Sequence, residues 1–123
     1  MSLWLAIAAI NGGLAVASGA FAAHGLQGRL DAQALQTFET GARYHMYHAL
    51  AIGLAALAMR DVAAGPATGA AAFFLAGILL FSGSLYLLAL TGVRWFGLVT
   101  PFGGVCFLVG WGLLVFAATR LKL

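Results

Sequence analysis

Charged side chains are spaced so unevenly along this chain that the gaps between them dictate what it can fold into. No Asp, Glu, Lys or Arg precedes Arg29, and none lies between Arg43 and Arg60, between Asp61 and Arg94, or between Arg94 and Arg120. A helix needs roughly 20 predominantly apolar residues to cross a hydrocarbon core about 30 Å thick, so these gaps read as membrane spans. They predict four spans, at about 3–23, 41–59, 68–90 and 101–119. The rest of the composition agrees: of 123 residues, 63% are hydrophobic and 7% charged, where a soluble domain carries about 25% charged residues. Too few polar side chains exist to clothe a water-soluble core, and the bilayer takes that role. The expected fold is all-α, an integral membrane four-helix bundle in a single domain.

The second span is the exception in length. Only 16 residues separate Arg43 from Arg60, about 24 Å at 1.5 Å per residue. Its helix therefore extends upstream. Asp31 is a suitable N-cap, and Ala32, Leu35, Phe38 and Ala42 recur at helical spacing among Gln33, Gln36, Glu39 and Arg43. That pattern predicts an interfacial amphipathic lead-in to the second helix. Glu39 and Arg43, four apart with the acid first, offset each other near the headgroups. For the fourth span, Thr100 is read as the cap and Pro101 as the first helical residue, with Trp95 and Phe96 just outside as interfacial anchors. Ala20-Phe21-Ala22 resembles a signal-peptide cleavage site, but no basic residue precedes Leu3 and the apolar stretch exceeds a usual signal core, so the first helix is read as uncleaved.

Orientation is nearly balanced, with Arg60, Arg120 and Lys122 on one side and Arg29, Arg43 and Arg94 on the other. Because Glu39 offsets Arg43, the positive-inside rule tips toward cytoplasmic termini. The net charge of +3 comes from scattered residues that form no stripe along which a phosphate backbone could run, which argues against nucleic acid. Membrane lipids and further copies of the same chain are the expected partners. Cys106 stands alone in an apolar run, excludes an intrachain disulfide and reads as a small packing residue.

Helices in lipid associate through small residues and polar contacts, because the tails are as apolar as leucine. Gly12 with Gly19, and Gly103 with Gly110, repeat seven apart and so share a helix face. Asn11 and Ser18 lie on a similar stripe of the first helix, while Ser82, Gly83, Ser84 and Tyr86 punctuate the third. All are read as helix packing positions.

Four blocks stand out: Gly19-Ala20-Phe21-Ala22-Ala23-His24-Gly25-Leu26; Thr40-Gly41-Ala42-Arg43-Tyr44-His45-Met46-Tyr47-His48-Ala49-Leu50; Phe81-Ser82-Gly83-Ser84-Leu85-Tyr86; and Pro101-Phe102-Gly103-Gly104, ending in Gly110-Trp111. Taken in order, they resemble the domain of unknown function 423 family, whose animal relatives are named transmembrane protein 256. The resemblance implies a compact four-span membrane protein without an agreed activity, in the cytoplasmic membrane if the source is bacterial. Arg43 departs from the uncharged residue expected there, which removes the basis for a universal role of that side chain.

Ionisable residues within spans are expensive and mark function by default. His24 ends the first helix, and His45 and His48 lie three apart near the start of the second. Antiparallel packing would bring all three to a similar depth. With Glu39, Arg43 and Tyr44 they form the candidate polar or ligand site. A transition metal held by the histidines, with Glu39 as an oxygen ligand, is one reading, and haem between His24 and His48 a special case of it. Neither is required by any ligand spacing in the chain, and no cofactor is expected. Asp31, Glu39 and Asp61 are the only acids, and no nucleophile or paired-carboxylate arrangement points to an enzyme. The preferred function is a membrane scaffold, or a binder of a lipid, solute or partner, near His24, Tyr44, His45 and His48. The alternative is an oligomeric small-solute or ion transporter with Asn11, Arg43 or His45 on a watery path.

Overall fold

The computed structural model describes residues 2–123. Four long helices follow one another through short turns. The first, α1 (Leu3–His24), opens on a cap in which Ser2 Oγ accepts from Leu5 N at 3.2 Å. The second, α2 (Ala32–Leu57), begins at the predicted cap, Asp31 Oδ1 accepting from Ala34 N at 2.7 Å. The amphipathic lead-in and the second span are one uninterrupted helix. The third, α3, runs over Asp61–Thr91 as a 3-10 turn (Asp61–Ala63), an α-segment (Ala64–Gly77), a π-turn (Ile78–Ser82) and a second α-segment (Gly83–Thr91). The fourth, α4, covers Trp95–Thr119.

Helices α1, α3 and α4 are each long and apolar enough to cross a membrane. The lead-in gives α2 the more polar first half.

Two expected boundaries move. The third span was placed after Pro66, but α3 begins at Asp61, and Pro66 lies within the first turn of its α-segment, where backbone donors lack intrahelical partners and proline is tolerated. The fourth span was placed from Pro101 with Thr100 as cap. Instead α4 starts at Trp95, so Trp95 and Phe96 belong to its first turn and Pro101 sits inside it. Gly92, in the left-handed conformation at φ 71°, ends α3 and turns the chain so tightly that helix resumes after Val93 and Arg94. Pro101 merely removes the donor that would have met Gly97 O.

Contacts fix the packing order. Phe21 meets Phe38 while Asn11 meets His45, so α1 and α2 are antiparallel. Tyr86 lies over Gly41 and Phe81 beside Tyr44, making α2 and α3 antiparallel. Ser84 meets Thr100 while Phe74 meets Gly110, making α3 and α4 antiparallel. The helices thus run alternately up and down.

The interior is built of small residues. Most buried apolar positions are alanines, with Leu26, Phe38, Ile52, Phe74, Ile78 and Phe107 as the large exceptions. Large side chains point outward instead: Leu108 is 73% and Leu79 67% exposed. That distribution suits a molecule whose surroundings are hydrocarbon, since close backbone approach rather than leucine burial drives helix association there.

Glycine takes this furthest between α3 and α4. A methyl group on Gly103 would run into the Phe81 backbone, one on Gly77 into the Phe107 ring, and one on Gly110 would stand 2.6 Å from the Phe74 ring. The predicted Gly103 and Gly110 pair is therefore a true packing face. The predicted Gly12 and Gly19 pair is not: each has open space where a side chain would be. Seven-residue spacing puts both pairs on a face, but only the α4 face has a neighbour. Gly83, also expected to pack, has only the Ile78 carbonyl near it, at 3.9 Å.

Candidate functional site

Three of the chain's polar clusters sit between helices, and the two histidines of α2 organise the larger ones. His45 and His48 are three apart, about 300° around a helix of 3.6 residues per turn, so they address different neighbours. Both are buried.

His45 faces α1 and α3. Its Nε2 is 2.9 Å from Asn11 Oδ1, and its Nδ1 is 2.9 Å from the Tyr86 hydroxyl. Proton positions follow from one fixed point. Asn11 Nδ2 donates to Ile7 O at 2.9 Å, and a backbone carbonyl only accepts. Asn11 Oδ1 must then accept, so His45 Nε2 carries the proton and Nδ1 accepts from Tyr86. Ser18, on the same stripe of α1, lies beside the Tyr86 hydroxyl. Asn11 thus joins α1 to α2.

His48 faces α3 and α4. Its Nδ1–H donates to Tyr44 O at 2.8 Å, and its Nε2 accepts from Trp111 Nε1–H at 3.1 Å. The imidazole stacks on Phe107 with centroids 3.5 Å apart and planes 8° from parallel. The third cluster links α3 to α4 through the Ser84 and Thr100 hydroxyls, with Ser84 also donating to Phe81 O at 2.9 Å. Next to it, inside the π-turn, Ser82 Oγ is fully buried without a hydrogen-bond partner among the described residues.

The expected meeting of three histidines does not occur. Asn11, not His24, is level with His45; His24 lies thirteen residues further along α1, about 20 Å away at 1.5 Å per residue. His24 is exposed at the end of α1. Among the described residues no three of His, Cys, Asp and Glu stand close enough to share a metal ion, so the ligand set of His24, Glu39, His45 and His48 is not assembled. The four ring nitrogens of His45 and His48 are each engaged by protein groups. Glu39 is half-buried and Arg43 exposed, on the α2 turns before these histidines.

Of the predicted site, Tyr44 and His48 remain together, with rings stacked 6.1 Å apart. They line a groove of about 410 Å³ between α2 and α4, walled also by Tyr47, Phe81, Phe107 and Trp111 and floored at Gly104. Phe107 and Trp111 were not expected at the site, although the Gly110-Trp111 block held the signal: an indole donor within a span needs an acceptor. The groove lies around Phe107, the midpoint of α4.

No solved structure matches this chain. Relatives are plentiful in bacteria. The chain is 46% identical over 121 residues to the UPF0382 membrane protein YwdK of Bacillus subtilis, covering 98% of both chains. It is 44% identical over 118 residues to the UPF0382 inner membrane protein YgdD of Escherichia coli, covering 96% of this chain and 90% of that one. The family model described as Protein of unknown function (DUF423) matches residues 18–104, a stretch that takes in the last seven residues of α1, all of α2 and α3, the His45 cluster except for Ile7 and Asn11 of α1, and the groove as far as Gly104. On that match and these identities, the chain is an integral membrane protein belonging to the DUF423 family.

Proposed function

We propose that this protein binds the hydrocarbon part of a membrane lipid in the groove between α2 and α4. The observation that carries this reading is the groove itself: a concave wall of five aromatic rings and one imidazole, level with the midpoint of the apolar helix α4. Ligand sites are typically concave and mostly apolar with few polar groups. Here His48 has both nitrogens occupied by Tyr44 O and Trp111, so beyond the Tyr44 and Tyr47 hydroxyls the wall meets an occupant with ring faces and apolar side chains. At this depth the available occupant is a chain of methylenes. A scaffold role for the bundle is compatible with this reading; a watery path is less so, because Asn11 and His45 turn inward and bond each other.

The test uses Trp111 as reporter. With Trp4 and Trp95 replaced by Phe, the protein is reconstituted with phosphatidylcholine brominated near the middle of its chains. Quenching of Trp111 should saturate at a smaller bromolipid fraction than free tryptophan analogues in the same bilayer require. Gly104 has open space at its Cβ position, so Gly104→Leu fills the groove without disturbing the helices and should return quenching to the bulk curve. Gly112→Leu, equally open but outside the groove, should leave the saturation intact. A Trp111 that follows the bulk curve in the parent protein ends the lipid-binding reading.

A further inference from the structure

The rim of the bundle where α2 ends, α3 begins and α4 ends carries a second cavity, unlike the groove in depth and chemistry. It encloses about 260 Å³ between Arg60, Asp61, Val62, Arg120, Leu121 and Lys122. Three cations and one carboxylate line it, brought together from positions about sixty residues apart in sequence. The opposite rim offers a comparison. There a cavity of about 470 Å³ is lined by Asp31 and Arg94 as its only charged residues, one of each sign. Of the two cavities only the one at Arg60 has surplus positive charge.

Its backbone is also unusual. Among the described residues Asp61 is the one non-glycine residue with positive φ, at 49°, a conformation that carries strain and is found preferentially where a site needs it. This kink joins α2 to α3 directly after Arg60. Arg120 is held in place, its guanidinium carbon 4.9 Å above the Phe116 ring. The apolar stretches of α3 and α4 begin and end at this level, which puts the cavity among the headgroups.

We infer that the Arg60, Arg120 and Lys122 cavity is a binding site for a phosphate group, presented either by an anionic phospholipid headgroup or as a free phosphate ion. Arginine matches phosphate with two parallel donors, and lysine adds a point charge. Basic recesses between membrane helices recognise phosphorylated headgroups by this chemistry. The site is independent of the α2–α4 groove and stands or falls separately.

The full-length protein in neutral detergent would be titrated with fluorescent phosphatidylglycerol and, separately, with the matching phosphatidylcholine. The parent protein should prefer phosphatidylglycerol. Each of Arg60→Gln, Arg120→Gln and Lys122→Gln should weaken that preference, roughly fivefold per cation, while Arg94→Gln on the opposite rim should not. Asp61→Asn removes the lone carboxylate and suits the positive φ better; it should strengthen binding, a gain that a misfolded variant does not produce. Inorganic phosphate at millimolar concentration separates the sources. If it displaces the lipid and raises the thermal stability of the parent but not of the triple variant, the free ion is the ligand. If the lipid stays bound, the headgroup is. Equal affinity for the two lipids together with no stabilisation by phosphate overturns the inference, as does a preference that survives the triple substitution.

Discussion

The two sides of this bundle hold together by different means. Where α1, α2 and α3 converge, a chain of directed hydrogen bonds passes from Tyr86 through His45 to Asn11 and ends on Ile7 O. Where α3 meets α4, glycines at 77, 103 and 110 let phenylalanine rings and backbone come into direct contact, with one hydroxyl pair between Ser84 and Thr100. The first interface is specified by donors and acceptors, the second by shape. In lipid these are the two available devices, and they fail differently. A polar link can be lost one bond at a time, whereas a glycine contact with backbone has no flexible atom to yield.

Gly103 is therefore the place to break the contrast most severely. Its missing Cβ would strike the Phe81 backbone, so Gly103→Ala should force α3 and α4 apart and destabilise the fold by about 3 kcal/mol or more. Reversible unfolding in bicelles, followed by helix-pair crosslinking, would measure it. A Gly103→Ala protein as stable as the parent would mean that the two helices are not in backbone contact.

His45→Ala should cost less, about 1–2 kcal/mol, because it leaves Asn11 Oδ1 and the Tyr86 hydroxyl without partners. The double replacement of His45 by Ala and Tyr86 by Phe should then fall short of the sum of the single losses, since the two residues share one bond. Additive losses would show that Tyr86 and His45 act separately.

The smallest effect is expected at Gly12, which faces open space. Gly12→Ala should be neutral or slightly stabilising, within about 1 kcal/mol, as alanine favours helix. A clear loss there, accompanied by a change in sedimentation, would reveal that α1 packs against another copy of the chain.

The contrast also explains what the sequence could disclose. Gaps between charges revealed the helices, because a charge-free stretch long enough to span has few other uses; Asp31 revealed the start of α2 for a local reason, a side chain reaching the amide three residues on. Pro101 misled because its preference for a first helical position is statistical, and the turn at Gly92, nine residues earlier, had already committed the chain to helix. The Gly12 and Gly19 pair misled differently. Periodicity names a face but not what lies across from it. For the same reason the bonds from Trp111 to His48, 63 residues apart, and from Tyr86 to His45, 41 apart, were beyond local pattern. The polar residues themselves were visible; their partners depended on the packing of whole helices.

The π-turn at Ile78–Ser82 bears on how this chain tolerates changes in length. A wide turn holds one more residue than the α-helix around it needs, so α3 contains a site where a single codon could be lost and the helix would close up behind it. The outcome would be an unbroken helix still facing the right way: the wide turn absorbs the surplus residue, so Ser84 would still meet Thr100 and Tyr86 would still meet His45, whereas a deletion in the regular part of α3 would rotate everything after it by about 100°. The contacts along the second half of α3 are therefore buffered against the loss of that residue, and a relative lacking it would make the same bonds with the corresponding hydroxyls.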